Sequence, residues 1–397
     1  MTSNLENHKS KYSLIPYIGA AIIGVSIIWF NYTNFTSPSE YIKSSKAHRA
    51  SGNYKAALEA LNTAIKLDSK NPQLYIDRAE VREKLGDESG FIEDYKKAIQ
   101  IDPNNKDSYL FDLTSSGNSD EKSRLQRYNQ AIQIDPNNYK LYIVRGELRR
   151  GYPLNDTKGA LQDYNKAIEL DPQHLYFFDY SERAKLRSEL GDKQGALEDY
   201  NKAIELNHKS YSILDRAELR HEIGDNQGAL QDINQFYKLH PPKYADTYHA
   251  RGLRRSKYGD KQGALQDLNT AIQLVPQYYI YYKSRADFRS DLGDNQGALQ
   301  DYNIVIKLEP EYDVAYSNRG VARYNLGDKQ GALQDYNKAI QLNAKNATAY
   351  FNQAWVRDGL GDKQAAIKDW QQAANLYLQQ GDTKKYLETI ERIKLIQ

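Results

Sequence analysis

The sequence predicts an all-α chain: an α–α superhelix of stacked helical hairpins, preceded by one transmembrane helix. Three observations carry this. The motif GDKQGALQDYNKA at Gly327 to Ala339 recurs from glycines at 191, 224, 259, 293 and 361, in steps of 33 to 35 residues. A fixed step of that size marks a solenoid and outranks any local motif. Residues 14–30 form an uncharged apolar run, LIPYIGAAIIGVSIIWF. The periodic segments also carry helical spacing throughout: Tyr316, Arg319, Gly320 and Arg323 stand at i, i+3, i+4 and i+7, on one helix face.

The unit at 314–344 explains itself locally. Leu326 ends a first helix, and Gly327 suits a left-handed C-cap. Asp328 is an N-cap for a second helix, on which Ala332, Tyr336, Ala339 and Ile340 share a face. In sister units a proline closes the second helix, at Pro103, Pro136, Pro172, Pro241, Pro276 and Pro310. Each unit is therefore two antiparallel helices with a small-residue seam. One such pair cannot bury its apolar face alone, but a stack can.

In chain order, residues 1–13 are a polar tail with Lys9 and Lys11. Residues 14–32 read as a transmembrane helix. With Tyr12 and Ser13 added, the helix is about 31 Å long, enough for a bilayer core. Tyr12, Tyr17, Trp29 and Tyr32 lie near its ends, where amphipathic rings suit the headgroups. A cleaved signal would have a shorter apolar core, about 7–15 residues. Lys9 and Lys11 close to the run, against Glu40 first on the other side, favour the repeats on the non-cytoplasmic side. Residues 33–40 read as a linker, and 41–380 as about ten units.

The first unit turns at Gly52-Asn53, and the second at Gly86-Asp87. The third is degenerate, with Gly117 early and SDEKSR in the turn. The fourth has a longer turn, GYPLND, whose two-residue insertion should fall in a loop. The sixth has Phe236 where a small residue is expected, which predicts local overpacking or a shift. Residues 381–397 read as a capping helix with Tyr386, Ile390 and Ile393 on its inner side.

The aromatic Tyr316, the small Gly320, the Gly327 turn, Ala332, Tyr336 and Ala339 resemble the tetratricopeptide repeat family. The resemblance covers roughly residues 38 to 380, and departs from the family pattern at Arg319 and Arg323, where Leu and Tyr are common. It implies a right-handed superhelix whose concave face binds a peptide or a protein surface, and it implies no chemistry. By the same resemblance Val321, Tyr324, Phe351 and Trp355 line that face. Aromatic anchors in a groove are typical hot spots. The other reading of Trp355 is packing against the end helix. Some members grip a terminal carboxylate with Lys and Asn on successive first helices. Asn318 and Asn352 occupy plausible places, but the lysines do not follow.

Two Arg columns recur on the first helices, Arg78 to Arg319 and Arg82 to Arg357, and an Asp column, Asp94 to Asp369, recurs on the second. An anion-binding stripe would need no partner of its own. The matched periodicity favours an internal ladder of guanidinium–carboxylate pairs. The 33 tyrosines fall mostly at seam positions, so they read as core.

Net charge is +2 for 397 residues, which argues against a nucleic-acid partner. With no cysteine there is neither a disulfide nor a cysteine-bound metal. The seven histidines show no ligand spacing, and no phosphate loop or nucleophile motif occurs, so no catalysis, cofactor or small-molecule substrate is expected. The expectation is a single-pass membrane scaffold for a protein or peptide ligand. The alternatives are an exported soluble adaptor after cleavage, or a self-assembling architectural protein.

Overall fold

Helix follows helix from Pro38 to Ile396, with no strand among the described residues of this computed structural model, which are 37–115 and 120–396. The polar tail, the apolar run at 14–32 and the Gly117 turn lie outside them. Among the described residues no helix is long and apolar enough to cross a membrane. The chain divides into two compact units between Leu175 and Tyr176.

The first unit holds four hairpins: α1 (Pro38–Ala50) with α2 (Tyr54–Leu67), α3 (Pro72–Leu85) with α4 (Glu88–Ile101), α5 (Lys106–Ser115) with α6 (Glu121–Ile134), and α7 (Tyr139–Arg150) with α8 (Thr157–Leu170). Helix α1 starts at Pro38, inside the segment expected to be linker. The reason is local: Ser37 caps it, Glu40 returns a bond to the Ser37 N–H at 3.2 Å, and proline is tolerated in the first turn. One continuous core runs through this unit, from Leu61 through Tyr75, Phe91 and Tyr95 to Tyr142 and Ala167. The inserted residues of the fourth unit do lie in the loop after α7, and the seam across it is intact. In the third hairpin the recurrent charges are exchanged: Asp112 stands at the Arg position and Arg127 at the Asp position. Arg127 there pairs with Glu83 of the hairpin before, at 3.3 Å.

The second unit holds six hairpins and a final helix. These are α9 (Phe177–Glu189) with α10 (Lys193–Leu206), α11 (Ser212–Glu222) with α12 (Asn226–Leu239), α13 (Ala245–Lys257) with α14 (Lys261–Leu274), α15 (Tyr279–Asp291) with α16 (Asn295–Leu308), α17 (Asp313–Asn325) with α18 (Lys329–Leu342), α19 (Ala347–Asp358) with α20 (Lys363–Gln379), and α21 (Thr383–Ile396). The turn between paired helices is built as the sequence predicts. Gly327 has φ +89°, open to glycine without strain. Its N–H donates to Tyr324 O, and that of Asp328 to Arg323 O, both at 2.9 Å, which closes the first helix. The Asp328 carboxylate then accepts the Gly331 N–H at 2.8 Å and opens the second.

Phe236 resolves as a shift. Its ring is buried against Ile204 and Ile213 and touches Tyr211 and His240, at 5.1 and 4.6 Å between centroids. Helices α12 and α13 pack more sparsely than any other consecutive pair of α9–α21. A cleft of about 570 Å³ opens beside the ring, lined among others by Tyr211, Pro242 and Tyr244. A phenyl ring where neighbours carry alanine cannot be absorbed at core density, so the next hairpin stands off.

Helix α21 covers the stack end. It buries Thr389 and Ile393 against α19 and α20, with Ile390 and Tyr386 beside them.

Candidate protein-binding surface

The recurrent charges are consumed inside the hairpins. Asp301 on α16 is 1% exposed. It accepts Nε and Nη2 of Arg285 at 2.9 and 2.6 Å and Nη1 of Arg289 at 2.9 Å. The same two-Arg clasp recurs at Asp94, Asp163, Asp199, Asp232, Asp267 and Asp335. The fork of one guanidinium meets both oxygens of the carboxylate, which is the strong geometry for such a pair. The first arginine also lies over its own tyrosine, as Arg285 does over Tyr282 at 5.7 Å.

One column escaped the sequence reading. The spare nitrogen of the first arginine reaches back to an asparagine of the preceding hairpin. Arg78 donates to Asn62 at 2.8 Å, Arg145 to Asn129 at 2.9 Å, Arg285 to Asn269 at 2.6 Å and Arg319 to Asn303 at 2.8 Å. The signal was present, since an asparagine follows the core residue in every DYN, DLN or RYN of the motif. The arginine thus ties its hairpin both to itself and to its neighbour. The joint at Phe236 lacks this tie: Asn234 instead receives Arg255 at 3.3 Å, and Arg254 donates to the Tyr237 hydroxyl at 3.1 Å.

The tenth hairpin also departs. Gln353 stands in place of the first arginine and keeps the backward bond, donating to Asn337 at 2.7 Å. Asp369 is left with Arg357 alone, at 2.5 Å. Burial raises its carboxyl from 3.8 to about 6, and the arginine only partly opposes this. The folded chain therefore holds this proton more tightly than the unfolded chain. The resulting stabilisation is complete below 3.8 and is lost as pH rises through about 6. Gln353→Arg is expected to draw the carboxyl down, raise the melting temperature at pH 7 and flatten its change between pH 5 and 7. Parallel pH profiles for the two proteins would overturn this.

Of the residues placed on the binding face by resemblance, Val321 and Tyr324 lie on α17. They are partly buried against Ala332, Tyr336 and Val356. Phe351 and Trp355 lie on α19 and meet edge to face at 6.3 Å. Trp355 is 36% exposed, and its ring stands against Trp370 at 5.7 Å. The Arg392 guanidinium of α21 lies 4.0 Å from its centroid, so the end helix reaches it as well. Val321 and Tyr324 pack in one cluster and Phe351 in others, on neighbouring hairpins. Among the described residues no group of three acidic or imidazole side chains could hold a metal.

Comparison with known proteins agrees with the repeat reading. A family profile described as TPR repeat matches residues 46–86. Profiles described as Tetratricopeptide repeat match 72–105, 152–174, 180–209, 314–346 and 348–377. Among solved structures, yeast Tom70 is similar at 16% identity, with 96% of this chain and 93% of that one covered and a TM-score of 0.42. A MamA protein is similar at 23% identity over 43% of this chain and 93% of that one, with a TM-score of 0.36. The first TPR of Spaghetti (RPAP3), solved with the HSP90 peptide SRMEEVD, is 25% identical over 30% of this chain and 93% of that one, with a TM-score of 0.29. No curated relative matches by sequence. Helical hairpins at a 34-residue step, capped and clasped as described, thus include tetratricopeptide repeats over residues 46–105, 152–174, 180–209, 314–346 and 348–377.

Proposed function

We propose that this chain is a membrane-anchored scaffold. In this reading residues 14–32 hold it to the bilayer, with the repeats on the non-cytoplasmic side. A protein or peptide partner lies on the first-helix surface that includes Val321, Tyr324, Phe351 and Trp355. Tetratricopeptide repeats are in general interaction folds, and the clasp supports the reading further. The conspicuous charges are spent internally, so recognition falls to what the first helices leave outside. The observation that carries the site is Trp355, an indole left over a third exposed beside Phe351 on a helix with otherwise modest apolar exposure.

The binding test is a crosslinked pull-down with the native protein, compared with Trp355→Ala and Arg392→Ala. Both changes disturb packing under α21, but only the first removes the indole. Loss of the partner in Trp355→Ala alone is expected. Equal loss in both, or in neither, would remove the site. For the anchor, the protein should stay with membranes in high salt and leave in detergent. Recovery as a soluble form lacking the first 39 residues would instead mark an exported adaptor.

A further inference from the structure

The cleft beside Phe236 is a break in the stack that the repeat itself does not require. Its floor and walls are aromatic and prolyl. Tyr211 and Tyr244 are largely exposed, Pro241 and Pro242 form the rim, and Phe236 is the base. A volume of about 570 Å³ falls within the range of sites that bind ligands. The charge over it is unevenly spent. Asp246, its one carboxylate, accepts a hydrogen bond from the Tyr281 hydroxyl on the next hairpin. His240 is engaged with the Lys209 carbonyl, at 3.1 Å. Lys243 and Arg254 are its cations, the arginine hydrogen-bonded to the Tyr237 hydroxyl at 3.1 Å and the lysine exposed on the rim.

We propose that this cleft is a second peptide-binding site, apart from the surface at Trp355, and that it takes an extended segment with an acidic residue beside an aromatic or aliphatic one. The apolar side chain enters between Tyr211 and Tyr244 and replaces water on those rings and the prolines. The carboxylate meets Lys243 and Arg254. Complementary charge sets orientation and excludes basic segments, while the aromatic walls supply the affinity. Two rigid rings and two prolines hold the walls in place, so little conformational freedom is lost on binding.

Random heptapeptides displayed on phage, selected on the full chain, test this. Enriched peptides should pair an acidic residue with a neighbouring apolar one. The affinity of a synthetic copy should fall about tenfold or more with Lys243→Glu and with Tyr244→Ala. Both side chains are exposed, so unchanged melting temperatures should accompany the loss. Trp355→Ala should bind that copy like the parent, which separates this site from the one proposed above. Four results would overturn the proposal: no enrichment, enrichment of neutral or basic peptides, binding indifferent to both cleft changes, or a concentration-dependent dimer that Tyr244→Ala dissolves.

Discussion

Arg285→Ala is expected to destabilise the fold by about 3 kcal/mol, the lower end for breaking a buried ion pair. The loss has three parts. Asp301 stays buried with only Arg289 to neutralise it, the bond back to Asn269 disappears, and Tyr282 loses the cation over its ring. Arg285→Lys should fall between, since an ammonium cannot present a fork to both carboxylate oxygens and also reach the asparagine. Lys307→Ala, at an exposed site on α16, serves as reference and should stay within about 0.5 kcal/mol. Urea denaturation followed by circular dichroism gives the comparison. A midpoint for Arg285→Ala no lower than that of Lys307→Ala would show that the clasp contributes nothing net.

Trp370→Ala should cost more, about 3–5 kcal/mol. The indole is fully buried, between Ala354, Ala366 and Ile393 and edge-on to Trp355. Its removal leaves a void that α21, a single helix held on one side, is poorly placed to fill. Trp370→Phe should cost far less, under about 1.5 kcal/mol. The ring nitrogen has no hydrogen-bond partner to lose, and other hairpins already carry tyrosine at this position. Amide exchange is the informative readout. Protection should collapse across α20 and α21 while α9 to α16 keep theirs. Intact protection at α21 in Trp370→Ala would mean that the helix is held by something other than this ring.

Much of this was legible beforehand because it is written repeatedly. The step, the Gly327 and Asp328 turn, the closing prolines and the Arg–Asp ladder each recur often enough to be told from chance. What stayed hidden depends on pairs that span a joint. The bond from Arg285 to Asn269 joins residues 16 apart on different hairpins, and helical periodicity does not point to it. Phe236 was visible as an anomaly, but its outcome was not. Whether a large ring compresses a seam or parts it depends on how far the neighbouring hairpin can move. Gln353, in place of the first arginine, keeps half of that residue's work, the backward bond without the clasp. For Phe351 and Trp355 the spacing shows their position on the helix. It did not show that Arg392 lies over the indole, since that depends on where α21 comes to rest.

The asparagine tie missing after α12 has a mechanical meaning. In a linear array each link bears the whole load, so the weakest one sets the strength of all. Stretched from its two ends, the second unit should part first between Leu239 and Ala245, where the helices pack most sparsely and Asn234 takes a 3.3 Å bond from Arg255 in place of the usual tie. The hairpins on either side would come away still folded, making this seam a built-in release under tension.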